Sequence, residues 1–244
     1  MSDPVTIITG AAGGIGRDVA MAVAALGHQV ILADINESGL EAVAGLPEFY
    51  PGKTAHVSID ITSPSSAAAL VAVALDRFGR IDALIHCAGI DAPRGNAWEL
   101  GETHWRRIIE ADLNGAWWCT QAVLPAMLNQ QRGRIILVGS SAGRQPSLGT
   151  SVAYNAAKAG VTGLVIGLSS QVESHGIRVN VIAPGPTGTG AAMTDAERAD
   201  YRRVYPLGEG GTLPVVEACK YLLGPGGDWL SGSVLNVSGG RVRG

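Results

Sequence analysis

A tyrosine and a lysine stand four residues apart in Tyr154-Asn155-Ala156-Ala157-Lys158, within a stretch of helical patterning. On a helix that spacing puts both side chains on one face. A free phenol titrates near ~10 and is a poor base at neutral pH. A cation a few ångströms away favours the phenolate, which turns the pair into a usable proton donor and acceptor. Tyr-x-x-x-Lys recurs by chance in many helices, so its force depends on its company. Ser140-Ser141 follows an apolar run that reads as a strand, and Ser141 lies 13 residues before Tyr154. A hydroxyl there would hold an oxygen beside the phenol. Either serine would equally cap the turn through Gly143.

A second constellation lies near the N-terminus. Thr9-Gly10-Ala11-Ala12-Gly13-Gly14-Ile15-Gly16-Arg17 joins a β-branched run to a helical one. Four glycines in seven residues let the backbone turn tightly and approach a pyrophosphate, toward which the next helix directs its unpaired N–H groups. The spacing is Gly-x3-Gly-x-Gly, not the commoner Gly-x-Gly-x-x-Gly, and a ligand-free turn is the plain alternative. Asp34 ends the next strand 18 residues after Gly16, near the place where a carboxylate accepts bonds from adenosine ribose hydroxyls. A carboxylate repels the extra phosphate of NADP, and Ile35–Gly39 holds no Arg or Lys to reverse this. The expected cofactor is NAD rather than NADP, with Arg17 the residue that argues the other way. Asp60-Ile61 closes a third strand, where a carboxylate would meet an adenine amino group or open a turn.

These residues need elements to hold them. Seven strands are expected at Val5–Thr9, Gln29–Ala33, Thr54–Ile59, Ala83–His86, Arg134–Val138, Arg178–Ile182 and Val234–Val237. Between them, Gly14–Leu26, Glu37–Ala44, Ser65–Phe78, Thr103–Gln130, Ser151–Ser174 and Leu213–Leu223 show helical periodicity. Alternation of this kind predicts an α/β fold: one Rossmann-like, doubly wound, seven-stranded parallel sheet with helices on both faces, spanning 1–244 as a single domain. The composition agrees, since 46% hydrophobic residues against 16% charged ones suits strands buried on both faces. Ile90–Gly101 and Pro184–Gly211 are long for a compact domain and leave the C-terminal ends of strands, where open α/β sheets bind ligands. The second reads as a substrate lid with a short helix over Thr194–Arg203.

The net charge of -3, without a Lys/Arg cluster, gives no footprint for nucleic acid. No segment approaches a membrane span, and MSDPVTIITG does not read as a secretory signal. Cys87, Cys119 and Cys219 show no disulfide or zinc spacing, and the five histidines show no metal spacing, so no metal is expected. The chain reads as cytoplasmic.

Taken in order, Thr9-Gly-x3-Gly-x-Gly16, Asp60-Ile61, Ala88-Gly89, Asn114, Ser141, Tyr154-x-x-x-Lys158 and Pro184-Gly185 resemble the classical short-chain dehydrogenase/reductase family across essentially the whole chain. The resemblance implies a catalytic set of Asn114, Ser141, Tyr154 and Lys158, with Asn114 supporting a water-linked proton relay to the lysine. It implies a nicotinamide cofactor bound by Gly10, Gly13, Gly14, Ile15, Gly16, Asp34, Asp60, Ile61, Ala88, Gly89, Tyr154, Lys158, Pro184, Gly185, Thr187 and Thr189. It also implies a homodimer or homotetramer paired through the two long helices. Two segments depart from the family pattern. His86-Cys87 stands where Asn-Asn or an Asn is usual, and Thr187 where Val or Ile is common.

The function expected is NAD(H)-dependent hydride transfer between a secondary alcohol and a ketone, with Tyr154 as general acid/base. Arg94 and Arg144 fall in the expected pocket walls, which suggests a small substrate that is polar or anionic; solvated loop charge is the ordinary alternative. The tryptophans Trp98, Trp105, Trp117 and Trp118 read as core or interface residues. Two rivals share parts of the pattern. An epimerase or dehydratase that retains its NAD would give no net NADH, and a non-catalytic NAD-binding scaffold would bind NAD without turnover.

Overall fold

The computed structural model describes residues 3–50, 52–90, 95–145, 151–188 and 194–243. Strands β1 (Val5–Thr9), β2 (Gln29–Asp34), β3 (Thr54–Ser58), β4 (Ala83–His86), β5 (Gly133–Val138), β6 (Ile177–Pro184) and β7 (Val234–Val237) form one sheet in the order β3-β2-β1-β4-β5-β6-β7. Every pairing is parallel. Helices α1 (Gly14–Ala25), α2 (Glu37–Ala44), α3 (Pro64–Phe78), α4 (Glu102–Ile109), α5 (Gly115–Gln130), α6 (Val152–Val172), α7 (Asp195–Val204) and α8 (Leu213–Leu223) complete the described elements.

Side chains of a strand alternate between faces, and here both faces are covered. Ile7, Ile31, Leu84, Ile135 and Val179 pack with α3, α5 and α6 on one side. Ile8, Leu32, Ile85, Ile136 and Ile182 pack with α1, α2 and α8 on the other. All five residues of β1 are buried, whereas the edge strand β3 is partly open. This is the doubly wound architecture the alternation predicted. Beyond β1 the chain winds outward through β2 and β3, then returns to place β4 on the opposite side. The loops after β1 and β4 therefore diverge, and a crevice opens between them at the C-terminal edge of the sheet.

One expected helix is not continuous. Thr103–Gln130 divides into α4 and α5 around a π-turn at Glu110–Asn114, in which the Gly115 N–H donates to the Glu110 carbonyl five residues back. Such bulges are rare and frequent at functional sites. The short helix expected over Thr194–Arg203 is α7, one residue later at each end.

Candidate active site

A cleft of about 460 Å³ opens at the crevice. Its nucleotide end is made by Gly10, Ala12, Gly13, Ile15 and Gly16 with Asp34 and Asn36. Gly10 has φ +71°, in the left-handed region where a side chain is strained. A Cβ there would also stand 2.8 Å from the Ala88 nitrogen. A Cβ on Gly16 would strike the Gly10 carbonyl, so the turn closes on itself only with glycine at both places. A Cβ on Gly13 would meet nothing within 4 Å, which leaves open space at the start of α1. Asp34 is fixed at the strand end, where its carboxylate accepts from Ala12 N at 3.1 Å and Asn36 N at 3.0 Å. Asn36 in turn caps α2 by accepting from Gly39 N. Arg17 lies outside the cleft, paired with Asp18 at 3.0 Å. Lys158 is the only cationic side chain among the described residues lining the cleft.

The other end holds Ser140, Tyr154, Lys158 and Asp112, with Pro184, Gly185 and Thr187 at the rim. Ser151 caps α6 by accepting from Tyr154 N, which sets the phenol in the first turn and the lysine one turn later. Lys158 Nζ lies 5.4 Å from the Tyr154 ring centroid. It also pairs with Asp112 Oδ1 at 2.9 Å, both side chains being almost wholly buried. Asp112 accepts from Ile90 N as well. Gly89 lies close enough that a Cβ would press on both Asp112 Oδ1 and Lys158 Nζ. Gly185 packs against Ser238, and its N–H donates to Val237, holding the rim on β7.

Two residues of the expected catalytic set do not line the cleft. Ser141 is 3% exposed and packed inside the turn, while Ser140 lines the cleft and caps the same turn by accepting from Ala142 N. Ser140 thus lines the cleft and Ser141 does not. Asn114 donates to Glu110 Oε2 at 2.7 Å and borders a different pocket with Trp105 and Arg106. Asp112 occupies the position beside Lys158 that was expected for Asn114. The sequence holds a signal for it, because Ile108, Asp112, Gly115 and Cys119 recur at helical spacing and are all buried, and Asn114 is off that stripe.

Asp60 and Ile61 are not among the cleft residues. Asp60 Oδ1 accepts from the Thr62 N–H and hydroxyl, the turn alternative, and Ile61 packs on Gly115. Gly14 shapes the turn with φ +52° and does not line the cleft. Arg144 is exposed, and its Nη1 lies 3.4 Å from Asn236 Oδ1, outside the cleft. Arg94 and Thr189 fall outside the described residues.

Behind the cleft, His86 and Thr9 tie β4 to β1. His86 Nδ1 and Thr9 Oγ1 are 2.9 Å apart, and Thr9 Oγ1 also accepts from Ala88 N. Burial, then the Lys158 charge, lowers His86 to about 3, so the imidazole is neutral. Burial raises the Cys87 thiol to about 12, against a smaller lowering by Lys158.

The fold is a doubly wound α/β sheet whose cleft has the glycine turn and Asp34 at one end and Tyr154 and Lys158 at the other. The family model for short chain dehydrogenase matches residues 4–200, and the chain belongs to the short-chain dehydrogenase/reductase family, whose members bind a nicotinamide cofactor. It is 33% identical over 240 residues to the 3-oxoacyl-[acyl-carrier-protein] reductase FabG of Escherichia coli, covering 97% of this chain and 96% of that one. It is 34% identical over 242 residues to the cis-4-hydroxycyclohexanecarboxylate dehydrogenase of Sinomonas cyclohexanicum, covering 98% and 96%. The crystal structure of gox2181 superposes with TM-score 0.91 at 30% identity, covering 99% and 96%. An actinorhodin polyketide ketoreductase variant with NADPH superposes with TM-score 0.89 at 29% identity, covering 98% and 97%. No helix among the described residues is long and apolar enough to cross a membrane.

Proposed function

We propose that the protein is an NAD(H)-dependent oxidoreductase that interconverts a secondary alcohol and a ketone. The observation that carries this reading is the meeting of Ser140, Tyr154 and Lys158 at one end of a cleft whose other end is the glycine turn and Asp34. The residues fit a dinucleotide: the opening beside Gly13 leaves room for a pyrophosphate at the start of α1, and the held Asp34 carboxylate offers acceptors to a ribose diol. That carboxylate, with no cation beside it among the described residues of the cleft, supports NAD over NADP. When bound, the nicotinamide supplies the acceptor or donor of the hydride.

The chain's own residues do the rest. Tyr154 takes the carbinol proton during oxidation and returns it during reduction. Lys158, its Nζ 5.4 Å from the Tyr154 ring centroid, stabilises the phenolate and offers a donor to a ribose hydroxyl. Ser140 bonds the substrate oxygen and orients it toward the phenol. We read residues 184–211 as a lid over the substrate, the assembly as a homodimer or homotetramer through α5 and α6, and the compartment as the cytoplasm. The names of the relatives range from acyl ketone reduction to oxidation of a ring carbinol carrying a carboxylate. A carbinol substrate is common to these. Arg144 lies outside the cleft, so an anionic substrate rests on less than a carbinol does.

The test is turnover on secondary alcohols, hydroxy acids and cyclic carbinols with NAD or NADP, followed by reduced nicotinamide absorbance. Turnover with NAD is expected. Turnover with NADP alone would refute the Asp34 argument, and tight NAD binding with no turnover would favour a scaffold.

A further inference from the structure

We propose that Asp112 is a positioning residue that sets the working pH of Tyr154 by offsetting the charge of Lys158. The inference rests on the reading of Tyr154 as the acid/base and adds the residue that tunes it.

Asp112 sits within the π-turn. It lies on the buried stripe of the α4–α5 segment, and its carboxylate stands 2.9 Å from Lys158 Nζ. Ile90 N donates to the same carboxylate, and Gly89 leaves the space in which the pair meets. Among the described residues, titratable groups face Lys158 from three places: Asp112 from the π-turn, Tyr154 from its own helix, and His86 and Cys87 from the end of β4. With His86 near 3 and Cys87 near 12, both are neutral across the working range. Within this group the field at the phenol is set by one cation and one carboxylate. A bare buried cation would draw the phenolate strongly to lower pH. A carboxylate in contact with it removes part of that pull, while holding Nζ in place over the ring. Burial makes the opposition strong, since little solvent screens it.

The experiment is a tyrosinate titration by ultraviolet difference between the protein and its Tyr154→Phe form, which isolates Tyr154 without any substrate. It is repeated on the Asp112→Asn background, and the pH profile of turnover is recorded alongside. The expected result is a Tyr154 midpoint lower by one pH unit or more in Asp112→Asn, about tenfold in ionised fraction, with the alkaline-rising limb of alcohol oxidation moving with it. Asp112→Glu, which keeps the charge, returns both toward the parent. A midpoint that stays put or moves to higher pH in Asp112→Asn overturns the proposal. If that variant fails to fold, Asp112→Ser takes its place, and the parent alone is also decisive: a Tyr154 midpoint below about pH 7, some three units under a free phenol, would mean that Lys158 acts uncompensated. A shifted titration without turnover on any alcohol would defeat the reaction class and leave the positioning role standing. Turnover with an unmoved limb would do the reverse.

Discussion

Ser140 and Ser141 are neighbours in different surroundings. The first lines the cleft and the second is enclosed by the turn. Ser140→Ala is expected to lower kcat/KM by about 10²–10³, the usual effect of losing one donor to the reacting oxygen. Ser141→Ala should leave kcat/KM within a few-fold and lower stability instead, which steady-state kinetics and urea unfolding on both variants would separate. A large kinetic loss only in Ser141→Ala would restore the original assignment. His86 makes a prediction about acid stability. It stays neutral in the fold down to about 3, whereas an unfolded histidine takes a proton near 6.5. Below that value the unfolded chain binds the proton and the folded one does not, so stability is full above about pH 6.5 and falls toward pH 3. The whole effect is roughly 5 kcal/mol. Urea midpoints from pH 7 to pH 4 should fall less steeply in His86→Asn than in the parent; equal slopes would contradict the neutral imidazole. The Tyr154–Lys158 pair was legible because a four-residue spacing on a helix is enough to join them. The serine was not, since Ser140 and Ser141 are adjacent and are told apart only by which way the backbone turns; the carboxylate was legible only through the helical stripe it shares with Ile108 and Cys119.

At the scale of elements, the glycine turn and the π-turn aim the side chains. Gly16 abuts the Gly10 carbonyl so closely that Gly16→Ala must push the start of α1 away from β1. It is expected to cost about 1–3 kcal/mol or more by overpacking and to weaken NAD binding, both read by thermal shift with and without NAD. Unchanged stability and binding would mean that the turn has room the geometry denies. The turn was legible from its glycines, because few other ligands ask for so bare a backbone. The break in the α4–α5 segment was not, since helical periodicity survives on both sides of it. The expected asparagine at 114 borders another pocket, while Asp112, on the buried stripe, faces Lys158.

The fold of the whole molecule could be read from alternation alone. Strands buried on both faces must be apolar throughout, and the helices between them leave only parallel pairing. The order β3-β2-β1-β4-β5-β6-β7 then places the loops after β1 and β4 side by side, so residues as far apart as Gly10 and Thr187 share one cleft. Substrate identity is less legible because its walls come from loops, and loop positions such as Arg144 carry no periodicity that says where they point. The most direct test joins both ends of the cleft in one protein. Tyr154→Phe, measured with NAD and the best alcohol of the panel, should retain NAD affinity within a few-fold while kcat falls by about 10²–10⁴, the range of a lost acid/base. Near-parental kcat in that variant, with NAD still bound, would contradict the assignment of proton transfer to Tyr154.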